Sequence, residues 1–179
     1  MLPRLQDDAL ILDQFADADV AAHLAGEDEE TARRFGWWPE SSTEATVRAA
    51  FTRWAQEWQA GGATRAFAAR ERATGELVGG CELRLQDAGR AEVSYWTSAG
   101  RRGGGYATRA LRLLLGYAWS IGVTSAESHV ATGNLASRRV SEKAGLRPAG
   151  TFLSDDGTLM VRYRTGPGDG QEHLTERMG

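Results

Sequence analysis

A glycine-rich run near the middle of the chain is the clearest candidate for chemistry. Residues 101–108 read RRGGGYAT and lie between a predicted strand and a strongly predicted helix. Because glycine has no side chain, backbone N–H groups in such a turn can converge, and the following helix adds about half a positive charge. This arrangement binds a phosphate or pyrophosphate, with Arg101 and Arg102 adding charge at the rim. A flexible turn with solvated arginines is the alternative.

Two common phosphate-binding motifs do not fit this run. The Gly-Lys-Ser/Thr of a Walker loop is missing. A dinucleotide fingerprint would follow the first strand of a βαβ unit, whereas Gly103 and Gly105 are followed by Thr108 and lie halfway through the chain. The sequence therefore favours a different phosphate-bearing ligand.

Hydrophobic spacing and turn residues predict the elements around this run. Predicted helices cover 17–30, a segment that starts after Ser41, 106–121 and 134–144; predicted strands cover 65–70, 76–85, 90–97, 123–131, 151–154 and 159–164. Ser41 and Glu44 have the spacing of a capping box, and Asn134 can cap the last helix. The helix at 106–121 has one apolar side, made of Ala107, Ala110, Leu111, Leu114, Tyr117, Ala118 and Ile121. Helices, an antiparallel meander and a β-α-β-α-β series predict an α/β layered fold with a right-handed crossover.

Composition narrows the functional classes. The 179 residues suit a single domain at 1–165, with 166–179 as a flexible tail rich in glycine and charge. A net charge of −3 makes nucleic acid an unfavourable partner. Cys81 is the single cysteine, so no intramolecular disulfide is expected. Neither a signal peptide nor a membrane-spanning segment is recognisable, which predicts a cytoplasmic protein.

Basic residues are almost all arginine, and Lys143 is the single lysine. The planar fork of arginine suits phosphate recognition. A codon bias that also favours alanine and glycine is the alternative explanation.

Two motifs together resemble a known family. Residues 102–107 (RGGGYA) fit the Arg/Gln-x-x-Gly-x-Gly/Ala signature of the GCN5-related N-acetyltransferases (GNAT), and residues 134–146 (NLASRRVSEKAGL) are similar to that family's second motif. The strand at 91–96 (AEVSYW) and the form of both motifs resemble the RimJ/RimL branch, which acetylates ribosomal-protein N-termini. The resemblance is firm over about residues 77–150 and loose over 1–62.

This resemblance implies the GNAT fold, with a mixed, mostly antiparallel central sheet, and acetyl-CoA as cofactor. The cofactor would lie where the strands at 90–97 and 123–131 splay apart. Strand backbone would pair with the pantetheine arm, and the amides of the glycine run would hold the pyrophosphate. The implied cofactor-binding residues are Tyr95, Trp96, Thr97, Arg102, Gly103, Gly104, Gly105, Tyr106, Ala107, Thr108, Asn134 and Ser137. For Asn134, a helix cap alone is the alternative.

Acetyl transfer to nitrogen needs a neutral amine. Near pH ~7.5 a lysine-like amine is only ~0.1% neutral, whereas an α-amino group is about one-third neutral. Glu92, on a strand of the predicted cleft, is the first candidate base and Glu82 the second; either carboxylate could instead face solvent or pair with arginine. Many family members carry a tyrosine acid where this chain has Ser141. Ser137 or Ser141 could instead donate a hydrogen bond to the leaving thiolate, and Ser137 fits the RimJ/RimL branch better. Both serines could instead merely decorate or cap the helix.

The acceptor side is less defined. Trp37 and Trp38 lie in a predicted loop and could wall an acceptor pocket, although core packing is the alternative. The acidic run at 27–30 could attract a cationic acceptor or be a solvated helix end. The histidines at 23, 129 and 173 share no ligand spacing, so no metal site is expected. A Cys81–His129 nucleophile pair is remote, because Cys81 fits better as a small core residue.

The sequence thus predicts an acetyl-CoA-dependent N-acetyltransferase in which a primary amine attacks directly. A non-catalytic CoA sensor or interaction module is the alternative, suggested by the missing tyrosine. Acetylation of aminoacyl-tRNA is disfavoured by the negative charge. The acceptor (a protein N-terminus, an antibiotic, an amino acid or a polyamine) and a homodimer stay open.

Overall fold

A computed structural model describes residues 3–34 and 39–169. In these ranges the strands are β1 Leu5–Gln6, β2 Leu10–Asp13, β3 Thr64–Glu71, β4 Leu77–Leu85, β5 Arg90–Thr97, β6 Ser125–Ala131, β7 Arg147–Leu153 and β8 Leu159–Thr165. The helices are α1 Val20–Gly26, α2 Glu29–Arg34, α3 Glu44–Ala60, α4 Tyr106–Ser120 and α5 Leu135–Lys143. The predicted α/β fold with a mixed, mostly antiparallel sheet is confirmed.

The strands form one sheet in the order β1-β2-β3-β4-β5-β6-β8-β7 across the described residues. Neighbouring strands are antiparallel except for β5 and β6, which α4 connects in parallel. Pairing between these two strands covers Arg90 to Glu92 on β5 and ends opposite Glu127 on β6. Beyond that point no ladder joins them, so the sheet opens into a V with its vertex at Glu92 and Glu127.

Helices cover both faces of the sheet. On one face α4 packs against β4 and β5 through Leu111, Leu114 and Ala118, which are fully buried, and α5 lies beside it. On the other face α3 packs on β3 and α1 on β4, around a second apolar cluster that includes Phe15 and Phe51. The vertex of the V therefore lies in a sheet that is covered by helices on both faces.

The N-terminal region differs most from expectation. Strands β1 and β2 were not predicted, because a short apolar run such as residues 10–12 does not distinguish strand from helix by periodicity. The predicted helix at 17–30 is wrong as one element, since α1 ends at Gly26 and α2 begins at Glu29. Asp28 causes the restart: its carboxylate accepts the backbone N–H of Thr31 at 3.0 Å, which is N-cap geometry.

Two smaller predictions were also wrong. The cap of α3 is Thr43 rather than Ser41, because the Thr43 hydroxyl accepts the N–H of Thr46 at 3.2 Å and leaves Ser41 outside the helix. Ile121 is 43% exposed, since α4 ends at Ser120 and the chain turns away. Leu115 is buried on α4 instead, four residues after Leu111.

Candidate active site

A cavity of about 300 Å³ lies in the open part of the V. Its three main walls are the last residues of β5, the glycine turn before α4 and one side of α5, and Glu30 and Thr31 of α2 complete the lining. The predicted cofactor residues that line it are Tyr95, Trp96, Thr97, Arg102, Gly103, Gly105, Tyr106, Ala107, Thr108, Asn134 and Ser137. Gly104 lies between two of them without lining the cavity itself. The fold thus brings residues from three separate elements to one place.

The glycine turn has a backbone that only glycine adopts readily. Gly103 and Gly105 have φ angles of 82° and 79°, and a Cβ at either position would meet nothing within 4 Å. Gly105 is the N-cap of α4, and no side chain of residues 3–34 or 39–169 caps this 15-residue helix. The first N–H groups of the helix therefore lack a side-chain cap, and a phosphate would supply acceptors for them at the positive end of the helix.

Carboxylates hold the two arginines at the rim of this turn. Arg102 forms a forked contact with Asp28, at 2.7 Å and 2.9 Å, and also contacts Glu30. This guanidinium holds the pKa of Asp28 well below its usual range. Arg101 pairs with Glu76 and lies 3.5 Å from Glu71. Most of the positive charge expected at the rim is therefore offset within the protein.

Helix α5 supplies the facing wall. The Asn134 side chain accepts the N–H of Ser137 at 3.0 Å, so it caps the helix while also lining the cavity. The hydroxyl groups of Tyr95 and Ser137 are 2.8 Å apart, which links β5 to α5 across the V. Ser141 is fully buried, does not line the cavity, and its hydroxyl has no hydrogen-bond partner among the described residues. Of the two candidate serines, only Ser137 thus reaches this site.

Sequence reasoning missed part of this wall. Arg139 and Lys143 line the cavity together with Ala136 and Val140. These positions are three or four residues apart, so they share one side of a helix. The same spacing applied to the second motif, starting from Ala136, could have found them.

The candidate bases lie near the vertex. Glu92 is about one-third exposed, and its Oε1 is 3.8 Å from Nδ1 of His129. The other ring nitrogen of His129 lies 3.4 Å from Glu127. Glu82 shares the sheet face of Glu92 but pairs with Arg84 at 2.8 Å. Glu92 therefore has an imidazole as its neighbour, whereas Glu82 is paired with an arginine.

A second cavity, of about 560 Å³, lies between α1 and the first half of α3. His23 lines it, and its ring is 4.7 Å from that of Trp96 in the first cavity. Burial lowers the pKa of His23, and its Nδ1 has no hydrogen-bond partner among the described residues. The linings of the two cavities are thus in contact through His23 and Trp96.

The remaining candidates fall elsewhere. Trp37 and Trp38 lie outside the described residues. Cys81 is buried, and burial raises the pKa of its thiol, which keeps the sulfur protonated and unsuited to nucleophilic attack. Within residues 3–34 and 39–169, no three His, Cys, Asp or Glu side chains are grouped to hold a metal ion. In the same ranges no helix is both long and apolar enough to cross a membrane.

Solved structures with the same fold include several acetyltransferases. RimJ of Mycobacterium smegmatis, in complex with CoA-disulfide, is 21% identical at a TM-score of 0.73, covering 94% of this chain and 88% of RimJ. The RimL ribosomal alpha-N-protein acetyltransferase is 16% identical at 0.72, covering 93% and 95%. Aminoglycoside acetyltransferase AAC(6')-Ib with coenzyme A is 20% identical at 0.72, covering 92% and 99%. These identities support the fold alone.

The family assignment rests on the sequence itself. No curated protein matches the chain. A family model described as the acetyltransferase (GNAT) domain matches residues 9–147, more than half of the chain and all three walls of the first cavity. The residues present also fit a CoA-type ligand, because an uncapped helix start, an unpaired strand edge and a polar α5 wall meet in one cavity. The chain therefore belongs to the GNAT acetyltransferase family, an enzyme family whose members use acetyl-CoA.

Proposed function

We propose that this protein is an acetyl-CoA-dependent N-acetyltransferase in which a primary amine attacks directly, closest to the branch that acetylates protein N-termini. The observation that carries this proposal is the cavity in the V, where the uncapped start of α4 meets the unpaired edge of β5. RimJ and RimL are among the structural neighbours, which favours a protein N-terminus as acceptor. AAC(6')-Ib is also among them, so a small-molecule amine is the alternative acceptor. A cytoplasmic location and a homodimer stay predictions.

Cofactor binding would use backbone on one side and side chains on the other. The amides of residues 103–108 would hold the pyrophosphate. The pantetheine arm would run along β5 at residues 95–97, because that strand edge has lost its partner beyond Glu92. Asn134 would contact the arm from α5 while it caps the helix.

When bound, acetyl-CoA would supply the thioester carbonyl for attack by the amine, and the C–S bond would break to release the CoA thiolate. Glu92 takes the proton from the attacking amine, directly or through water, because it lies at the vertex where the arm would end. His129, at 3.8 Å, provides the next proton acceptor. Backbone N–H groups near residues 95–97 would stabilise the oxyanion.

The leaving thiolate needs a donor other than Ser141. The Tyr95 and Ser137 hydroxyls lie together in the cavity wall, at 2.8 Å. We assign to Ser137 a hydrogen bond that would stabilise the leaving thiolate, with Tyr95 holding the serine hydroxyl in place. This pair would take the place of the tyrosine that many family members carry at the position of Ser141.

An acceptor panel tests the proposed function. Acetyl-CoA-dependent thiol release is measured with N-terminal peptides, lysine peptides, aminoglycosides, amino acids and polyamines, and CoA binding is measured separately by calorimetry. We expect release with the N-terminal peptides. Release only with another acceptor class would replace the acceptor assignment, and CoA binding without release from any class would contradict the enzymatic proposal.

A further inference from the structure

Two cations on α5 have no assigned role in the reaction. Arg139 and Lys143 line the first cavity, and both side chains are exposed to solvent. They are four residues apart, so they lie on the same side of the helix. Like charges at this spacing repel each other and disfavour the helix, which an anionic ligand between them would reverse.

Neither cation has a carboxylate partner among the described residues. Every ion pair there within 4.0 Å involves other side chains. Glu142, which lies between the two cations in sequence, instead accepts the Tyr163 hydroxyl at 2.9 Å. This wall therefore presents two uncompensated positive charges to the cavity.

The glycine turn and the α5 wall would receive different phosphate groups. Backbone N–H groups at the start of α4 satisfy one pyrophosphate, and they need no side-chain cation. Coenzyme A carries one more phosphate, the phosphomonoester on its ribose 3′ oxygen. Such a group carries about −1.5 to −2 charges near neutral pH, and it suits an arginine fork combined with a lysine point charge.

We propose that Arg139 and Lys143 bind the ribose 3′-phosphate of CoA, so that the protein selects CoA over dephospho-CoA. This proposal rests on the proposed function, because it takes CoA as the ligand of the cavity. It adds a specificity determinant outside the glycine turn, on side chains that do not touch the reacting atoms.

Calorimetric titration of the full-length protein with CoA and with dephospho-CoA tests it. We expect the wild type to bind CoA about tenfold more tightly, as two charge-assisted contacts would give. Lys143→Gln and Arg139→Gln should each weaken CoA binding by roughly 3–10-fold and leave dephospho-CoA binding unchanged. Arg147→Gln removes an exposed arginine outside the cavity and is the matched control, expected to change neither affinity.

The outcomes separate the two proposals. Equal wild-type affinity for the two ligands would overturn the 3′-phosphate assignment while leaving CoA binding intact. Equal weakening of both ligands in the two variants would also overturn it, because the cations would then contact the pyrophosphate. A wild type that binds neither ligand would instead contradict the proposed function.

Discussion

Two walls of the same cavity each carry two cationic side chains, but only one of these pairs is neutralised by carboxylates of the described residues. At the glycine turn, Arg101 and Arg102 are engaged by carboxylates, Arg102 in a fork with Asp28. On α5, Arg139 and Lys143 have no such partner in the described part of the chain. The first wall must therefore attract an anion mainly through its backbone, whereas the second can do so through charge.

This difference separates the tasks of the two walls. A turn that binds through N–H groups depends on main-chain conformation and on open space above the glycines. At a wall that binds through side-chain charge, the affinity for the anion depends less on backbone conformation. It changes with each substituted cation and with salt concentration. Substitutions can therefore be chosen that weaken anion binding at one wall and leave binding at the other wall unchanged.

The largest effect is expected at the glycine turn. Gly105→Glu should weaken CoA binding by about 100-fold or more, because a residue strained at φ 79° would place a negative charge against the phosphate site. Calorimetry with CoA measures it. Gly122→Glu is the matched control, since Gly122 also has positive φ and open space but lies outside the cavity. Unchanged CoA affinity in Gly105→Glu would remove the pyrophosphate from this turn.

A substitution at the vertex should lower turnover and leave anion binding at both walls unchanged. Glu92→Gln is expected to lower kcat by about 10²-fold near neutral pH, the range of general base catalysis, and to leave CoA affinity unaltered. The loss should shrink as pH rises, because more of the amine is then neutral. Steady-state kinetics across pH, with the acceptor that the panel identifies, measure this loss of kcat. If Glu82→Gln costs more than Glu92→Gln, the assignment of the base is wrong.

Removing the partner of Arg102 should make the two walls more alike. Asp28→Asn is expected to tighten CoA binding by up to about fivefold, because an exposed ion pair is worth at most about 1 kcal/mol and its loss leaves Arg102 less neutralised, with Glu30 still in contact. Glu29→Gln serves as the control, since it removes a charge from the same segment but pairs with Arg33. Weaker CoA binding in Asp28→Asn would mean that Asp28 positions Arg102 for the ligand instead of competing with it.

Acid should produce the smallest effect, through the same ion pair. Arg102 lowers the pKa of Asp28 in the folded protein from its ordinary value of 3.8. The pair therefore stabilises the fold fully above that value, and this stabilisation is lost as the pH falls through the folded pKa. Between about pH 5 and about pH 3, the wild type should lose more free energy of unfolding than Asp28→Asn, by less than about 1 kcal/mol since Asp28 is one-third exposed.

Urea unfolding of both proteins across this range measures the difference. The matched comparison is Glu29→Gln, which should follow the wild type. Parallel pH profiles for the wild type and Asp28→Asn would show that this ion pair contributes no measurable stability.

Local signals predicted the parts of the site that lie close together in sequence. Gly105 before an apolar helical stripe predicted the start of α4, and Asn134 predicted the start of α5. Contacts between distant residues could not be predicted in this way. Arg102 and Asp28 are 74 positions apart, and Tyr95 and Ser137 are 42 apart, so no local pattern links either pair.

The two serines of α5 show the same limit on a smaller scale. Ser137 and Ser141 are one turn apart, so the spacing alone allowed either to donate a hydrogen bond to the thiolate, and only the family resemblance favoured Ser137. Packing of α5 on α4 sets the rotation of the helix, which leaves Ser137 in the cavity wall and buries Ser141 completely.

Residue order alone was enough to establish the family and to predict the α/β layering, and it also predicts phosphate binding by the turn at 101–108. Each of these depends on short-range geometry: helical spacing, caps, and the conformational freedom of glycine. Which cations are neutralised and which stay available depended on folding, because the segment before α2 brings Asp28 to Arg102, whereas no carboxylate of the described residues pairs with Arg139 or Lys143. Charge compensation acts through space rather than along the chain, and so the distinction between the two walls exists only in the folded protein.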